Sequence, residues 1–171
     1  MESPQTAKDQ SAALRLLEDG PAYRFHDWPN PLLPEVAAGV YTIWREDELI
    51  YAGMAGRGFT TEIISGHRAA KVKNKGLRSR VESHWSGRRS GDQFCVYVAD
   101  RLVLSTLSGE QIAAVAAGEL KLDALVRVYV HEHLTYRFCE LPDSKSAEAL
   151  EREVRRGALR AGQPFLNPLH R

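Results

Sequence analysis

The sequence lacks the long apolar runs that a membrane-spanning helix requires. Of its 171 residues, 43% are hydrophobic, but no stretch approaches the about 18 consecutive apolar residues of a transmembrane segment. Residues 1–10 are polar and contain no apolar core of the kind found in secretory signal peptides. We therefore expect no membrane contact, and we expect the protein to be cytoplasmic.

Cysteine is also scarce. The only two, Cys95 and Cys139, each lie within an apolar stretch. Such residues are typical of buried free thiols in a reducing compartment. The stability of the fold must then come from a hydrophobic core, and the chain has the length expected of one compact domain.

The net charge is small, but it is unevenly distributed. The formal value is +1 for the whole chain, whereas residues 66–90 alone carry +7 and residues 152–171 carry +4, with histidines taken as neutral. Concentrated positive charge is typical of a surface that binds a polyanion, although a solvated basic face is the alternative. The candidates for nucleic-acid binding in the first cluster are Lys71, Lys73, Lys75, Arg78, Arg88 and Arg89.

Two short strand-like runs, Gly39-Val40-Tyr41 and Tyr51-Ala52-Gly53, flank the polar residues 45–48. This pattern predicts a β-hairpin with one tyrosine on each strand. A symmetric four-residue loop would pair Tyr41 with Ala52 and place the two tyrosines on opposite faces. An odd loop or a β-bulge would instead bring them onto one face.

Residues 76–86 show a helical period, with Leu77, Val81 and Trp85 spaced by four. Arg80 and His84 are also four apart, so they should stand side by side at the edge of that apolar stripe. The same kind of reasoning predicts helices over 11–18, 109–117 and 144–161, and strands over 94–98, 126–130 and 136–140. His131 and His133 would then share one strand face, but too few further ligands accompany them to predict a metal site.

The hairpin resembles the signature of the GIY-YIG nuclease family, with Val40 and Ala52 replacing the usual isoleucines. Residues 39–168 also contain, in the family's order, Arg80, His84, Glu153 in Glu148-Ala149-Leu150-Glu151-Arg152-Glu153, and Asn167. The resemblance implies an α+β fold in which helices flank a small, mostly antiparallel sheet. Residues 39–171 would form the nuclease domain, with insertions at about 54–75 and 94–131, and residues 1–38 would be an N-terminal extension packed against it.

The activity that the resemblance implies is endonucleolytic hydrolysis of DNA with Mg²⁺ or Mn²⁺. Glu153 would bind the metal ion, Arg80 would stabilise the phosphate, and Tyr41 would act as general base. Tyr51 and His84 would orient the water or contact the scissile phosphate, and Asn167 would position other groups. A helical wheel places Glu151 closer to the apolar stripe than Glu153, so Glu151 is the alternative metal ligand.

Two other functions remain open. One is a catalytically silent nucleic-acid-binding module that uses the basic face, and the other is a small-ligand binder that uses the glycine-bearing segment 53–58. The sequence also leaves open DNA or RNA as the nucleic acid, and a monomer or a homodimer as the functional form.

Overall fold

A small five-stranded sheet flanked by seven helices forms the part of the chain that the structure, a computed structural model, describes: residues 4–169. The α+β class predicted from the sequence is confirmed. The helices are α1 (Pro4–Asp19), α2 (Thr61–Ala69), α3 (Leu77–Ser86), α4 (Gln93–Val98), α5 (Gly109–Ala116), α6 (Leu122–His133) and α7 (Ser144–Arg155). The strands are β1 (Tyr23–Arg24), β2 (Val36–Arg45), β3 (Glu48–Ala55), β4 (Lys75–Gly76) and β5 (Leu134–Leu141).

Strand β2 is the centre of the sheet. The antiparallel order is β1-β5-β2-β3, and β4 pairs in parallel with the start of β2. Every residue of β2 except Arg45 is buried, because helices cover both faces of the sheet. Tyr41 and Ile43 belong to the core on the side of α3, α4 and α6, whereas Val40 and Trp44 pack on the side of α1 and α7.

A β-bulge in the hairpin brings the two tyrosines onto one face. Tyr41 pairs with Gly53 and Ile43 pairs with Tyr51, but the next pair is Trp44 with Leu49, so Ile50 is the extra residue. Because Tyr51 lies opposite Ile43, it faces the same side as Tyr41, and the two rings stack with centroids 6.3 Å apart. The bulge that the two tyrosines require is thus present.

Two predicted strands are helices instead. Residues 94–98 belong to α4 and residues 126–130 belong to α6, so those two predictions are wrong. Short apolar runs rich in β-branched and aromatic residues suit a buried helix as well as a strand. In α4 the Asp92 side chain caps the first turn, and in α6 Val126 and Val130 lie one turn apart in the core. His131 and His133 therefore do not share a strand face.

The other predicted elements are present, with shifted ends. The predicted helices over 11–18, 76–86 and 109–117 correspond to α1, α3 and α5, and the strand over 136–140 lies within β5. Helix α7 is capped by Asp143 rather than by Ser144 or Ser146. It ends at Arg155 rather than near Ala161, because Gly157 leaves the helix with a φ of 98°. Helix α2 was not predicted.

Cys95 and Cys139 are buried free thiols, as expected.

Both ends of the described chain pack on the sheet. In the N-terminal segment, Leu17, Phe25 and Leu33 are fully or almost fully buried. Near the C-terminus, Phe165 N–H donates to Leu49 O at 3.1 Å and Leu166 N–H donates to Ile50 O at 2.8 Å. This segment covers the exposed edge of β3, which would otherwise present unpaired backbone groups. Within residues 4–169, no helix is both long enough and apolar enough to cross a bilayer.

Replacing Gly39 by alanine tests the packing of β2 against β5. A Cβ at position 39 would lie 2.2 Å from the Cys139 carbonyl oxygen and 2.6 Å from Leu77 Cδ1. Since the backbone oxygen cannot move aside, we expect Gly39→Ala to lower the free energy of unfolding by about 1–3 kcal/mol or more, as overpacking does. Gly109→Ala is the matched control, because a Cβ there meets open space. Equal urea midpoints for the two variants would contradict the packing described.

Candidate functional site

One cleft, with a volume of about 550 Å³, is lined by four of the six predicted catalytic residues. It is lined by residues of β2, β3, β4, α3 and α7, by the segment that follows β3, and by residues just before and at the start of α4. These four predicted catalytic residues are Tyr41, Tyr51, Arg80 and His84. Asp92 and Glu151 line the same cleft.

A chain of hydrogen bonds runs from the sheet into α4. The Tyr41 hydroxyl lies 2.7 Å from His84 Nε2, and His84 Nδ1 lies 2.7 Å from Asp92 Oδ2. Ser83 Oγ also donates to Asp92 Oδ2, at 2.7 Å. Asp92 Oδ1 accepts from the backbone N–H groups of residues 94 and 95. Tyr41, His84 and Asp92 are all buried, and each forms a hydrogen bond with at least one of the others.

The protonation states of His84 and Asp92 follow from their surroundings. Burial lowers the pKa of His84, against the opposing effect of Asp92, and favours the neutral ring. Burial by itself would raise the pKa of Asp92, but hydrogen bonds from His84 and Ser83 lower it below its usual value. Asp92 is then a carboxylate that accepts from His84 Nδ1–H, which leaves Nε2 to accept the Tyr41 hydroxyl proton.

The two tyrosines are protonated at neutral pH. Burial raises the pKa of Tyr41 well above its usual value; Tyr51 adds to the shift and Arg80 opposes it. Burial also raises the pKa of Tyr51, to about 12. Burial therefore outweighs the lowering of the Tyr41 pKa by Arg80. Any proton that leaves Tyr41 needs an adjacent acceptor, and Nε2 of His84 is in place to take it.

Glu151, and not Glu153, lies at the cleft. Glu153 forms an exposed ion pair with Arg156 at 3.4 Å and lines a different surface depression. Successive residues of a helix are turned by about 100°, so two residues that are two apart face nearly opposite directions. Leu150 and Val154 pack on the sheet, and Glu151 lies on the cleft side of that stripe. The prediction that placed Glu153 at the site is corrected to its alternative, Glu151.

Asn167 does not line the cleft, and its side chain instead bonds to the backbone of β3. Its side-chain amide donates to Ala52 O at 2.7 Å, and its Oδ1 accepts from Ala52 N–H at 3.1 Å. Ala52 lies between Tyr51 and Gly53 on β3. Asn167 therefore fixes the C-terminal segment to the strand that carries Tyr51, and its predicted role at the catalytic site stays a prediction.

The predicted basic residues divide into three groups. Arg78, whose side chain is only 16% exposed, donates to the carbonyl oxygens of Asn30 and Leu33. Arg89 is exposed and forms a surface ion pair with Asp123 at 2.6 Å. Lys75 lines the cleft with Arg80 and with Arg57, which sequence reasoning missed. Three further predicted side chains are exposed outside the cleft lining: Lys71, Lys73 and Arg88.

A second group of potential metal ligands lies at the wall of the cleft, where His84 and Asp92 line it. His84, Asp92 and Cys95 offer ligand atoms within 4.8 Å of one another and could hold a metal ion. Their hydrogen bonds favour another role, since His84 Nδ1 bonds to Asp92, and Cys95 Sγ donates to His84 O at 3.7 Å. Burial raises the pKa of the Cys95 thiol, whereas a metal needs the thiolate. Glu151, by contrast, presents its carboxylate at the open cleft.

The stability of the protein should depend on pH through His84. Its folded-state pKa is lowered below the usual 6.5, so the unfolded chain takes up a proton that the folded chain does not. Below pH 6.5 the free energy of unfolding should therefore fall as the pH falls, with a slope of up to about 1.4 kcal/mol per pH unit. Urea unfolding from about pH 7.5 to pH 5 measures this slope.

His84→Gln should remove that component of the slope. His133→Gln, which changes an exposed histidine, is the control and should leave the slope as in the wild type. An unchanged slope in His84→Gln would show that the buried ring is not the group responsible.

Comparisons with known proteins identify no relative. No protein-family model matches the chain, and neither the curated proteins nor the solved structures give a match. The family membership suggested by the motifs stays a prediction. The function must be argued from the chemistry of this cleft.

Proposed function

We propose that the protein is a divalent-metal-dependent endonuclease of the GIY-YIG type that hydrolyses phosphodiester bonds in DNA. The observation that carries this proposal is the single cleft shared by three kinds of group. They are the buried Tyr41–His84 hydrogen bond, the Arg80 guanidinium and the Glu151 carboxylate. Phosphodiester hydrolysis needs just these three: a path for the proton of the attacking water, positive charge for the phosphate, and a ligand for a metal ion.

Tyr41 and His84 supply the path for the proton. As a water molecule attacks phosphorus, its proton passes to the Tyr41 oxygen while the Tyr41 hydroxyl proton passes to His84 Nε2. The net result is that His84 gains one proton. Tyr41 is a neutral phenol both before and after the transfer. Asp92, hydrogen-bonded at Nδ1, stabilises the imidazolium that forms, as the carboxylate of a catalytic triad does. The role of general base is therefore shared between Tyr41 and His84.

Positive charge for the phosphates comes from Arg80 and its neighbours. Arg57, Lys75 and Arg80 line the cleft, and none of the three forms an ion pair within residues 4–169. Arg80 lies one helical turn before His84, so its planar guanidinium is close to the hydrogen-bonded chain. Its geometry matches two oxygens of a phosphate. Arg57 and Lys75 extend the basic surface along the rim, where a DNA backbone would lie.

Glu151 is the residue that fits a hard divalent ion. Its side chain keeps 16% exposure at the cleft and its Oε1 accepts from Arg155. Its Oε2 accepts no hydrogen bond from the described part of the chain. Mg²⁺ prefers oxygen ligands and retains several of its waters, so one carboxylate and a substrate phosphate suffice. When bound, Mg²⁺ or Mn²⁺ would act as a Lewis acid toward the phosphate and the leaving oxygen.

The proposed location is the cytoplasm. Two buried free thiols without a disulfide suit a reducing compartment, in which DNA would be accessible to the protein.

Cleavage of supercoiled plasmid tests the metal ligand. With Mg²⁺ or Mn²⁺ the wild type should nick or linearise the plasmid, and a chelator should stop it. Glu151→Gln should lower the rate by about 100-fold or more, because it removes the ion's protein ligand. Glu153→Gln, two residues away on the same helix, is the matched control and should stay within about twofold of the wild type. Equal losses in both variants, or cleavage that resists the chelator, would contradict the assignment. DNA binding without any cleavage would favour the silent binding module.

The proton path has its own test. Tyr41→Phe keeps the ring but removes the hydroxyl, so we expect the cleavage rate to fall by about 10²- to 10⁴-fold, the usual contribution of acid–base catalysis. Tyr136→Phe is the control, because it removes another buried hydroxyl that accepts a hydrogen bond from Asn30 at 3.1 Å. Wild-type activity should decrease with falling pH once His84 is protonated, at a pH below its usual pKa of 6.5. Full activity in Tyr41→Phe would rule out this path.

A further inference from the structure

The Arg155 side chain connects the candidate metal ligand to the C-terminal segment. Its NH1 group donates to Glu151 Oε1 at 3.1 Å, and its Nε donates to the main-chain oxygen of Asn167 at 2.9 Å. The side chains of Arg155 and Glu151 are only 27% and 16% exposed. The guanidinium is therefore fixed at two points, and one of these is the carboxylate at the cleft.

The far end of this connection is itself anchored. Asn167 forms two hydrogen bonds with the backbone of Ala52, and Leu166 N–H donates to Ile50 O. Leu169 N–H donates in turn to Arg155 O at 2.9 Å. The segment that receives the Arg155 guanidinium is thus attached to β3 next to Tyr51. A continuous set of hydrogen bonds joins the tyrosine strand to Glu151.

The other arginine–glutamate pairs of α7 differ from this one. Arg152–Glu148 and Arg156–Glu153 are separated by 3.3 Å and 3.4 Å, with all four side chains 41–64% exposed. Neither Arg152 nor Arg156 has a second side-chain hydrogen bond within residues 4–169. Exposed pairs of this kind contribute little to stability or order. Arg155–Glu151 is the half-buried, doubly anchored pair, and it is also the pair at the cleft.

We propose that Arg155 is a positioning residue of the metal site. This inference rests on the proposed function. Arg155 holds Oε1 of Glu151 by a hydrogen bond, and Oε2 of Glu151 binds the divalent ion. Carboxylates that bind metals are commonly fixed by such outer hydrogen bonds, and losing one typically weakens metal binding or activity by about 10- to 100-fold. Without Arg155, the Glu151 side chain would occupy several rotamers, of which only some face the ion.

Charge repulsion between Arg155 and the ion would have the opposite effect on metal affinity. The guanidinium is a positive charge close to the ion, so its removal should strengthen binding if repulsion dominates. We expect orientation to outweigh repulsion, because Arg155 is needed to hold the carboxylate at the cleft. The sign of the change in metal affinity decides between the two effects.

Calorimetric titration with Mn²⁺ alone, in the absence of DNA, measures that sign. Arg155→Gln should weaken Mn²⁺ binding by about 10- to 100-fold. Arg152→Gln is the matched control, since it removes the same residue type from the same helix and also breaks an i, i+4 pair. It should change binding by less than about twofold. Arg155→Lys keeps the charge but not the planar fork, so its affinity should lie between those of the wild type and Arg155→Gln.

The rate of DNA cleavage then distinguishes a failure of the Arg155 role from a failure of the proposed function. At saturating Mn²⁺, Arg155→Gln should recover most of the wild-type rate, whereas Glu151→Gln should not. Mn²⁺ binding by Arg155→Gln that is as tight as in the wild type, or tighter, would overturn the positioning role. Metal-dependent cleavage that is lost in Glu151→Gln would still support the proposed function in that case. If Glu151→Gln bound Mn²⁺ as tightly as the wild type, both the positioning role of Arg155 and the proposed metal site would be wrong.

Discussion

The register of the β2–β3 hairpin determines which side chains reach the cleft. A single extra residue, Ile50, shifts the pairing so that Tyr51 joins Tyr41 on one face of the sheet. The same register places Gly53 opposite Tyr41. A Cβ at position 53 would lie 2.3 Å from the Tyr41 hydroxyl oxygen, so the glycine leaves the space that this ring fills. Gly53 thus leaves the Tyr41 hydroxyl free to lie 2.7 Å from His84 Nε2.

Burial raises the pKa of the Tyr41 hydroxyl, and it also makes a missing hydrogen bond costly in free energy. A buried polar group left without a partner costs about 1–3 kcal/mol, so Tyr41, His84 and Asp92 must all remain bonded for the fold to be stable. Asp92 meets two requirements at once, because one of its oxygens caps α4 and the other fixes the His84 ring. The site and the core are thus built from the same contacts. A change that breaks the Tyr41–His84–Asp92 hydrogen bonds should also affect stability.

Local patterns in the sequence predicted the parts of the site that lie on regular elements. The hairpin and the helix with Arg80 and His84 were recognisable because their periods are clear. Glu151 was placed near the sheet by helical periodicity, whereas the motif spacing favoured Glu153. The periodicity was the better guide, since helix geometry fixes which face a side chain occupies.

Contacts between distant segments were beyond sequence reasoning. Asp92 precedes an apolar run that was interpreted as a strand, although an aspartate directly before such a run is also a helix N-cap signal. Arg57 lies in a glycine-bearing connection without any periodic pattern. The link from Arg155 to Asn167 depends on the path of the C-terminal segment along β3, and no local pattern specifies that path.

The most direct test of the whole account is a crystal structure with Mn²⁺ and an oligonucleotide whose scissile phosphate resists hydrolysis. The account predicts an anomalous Mn²⁺ peak beside Glu151 Oε2, with a phosphate between the ion and the Arg80 guanidinium, and the Tyr41 hydroxyl facing that phosphate. A peak at His84, Asp92 and Cys95, or an oligonucleotide bound away from this cleft, would contradict it.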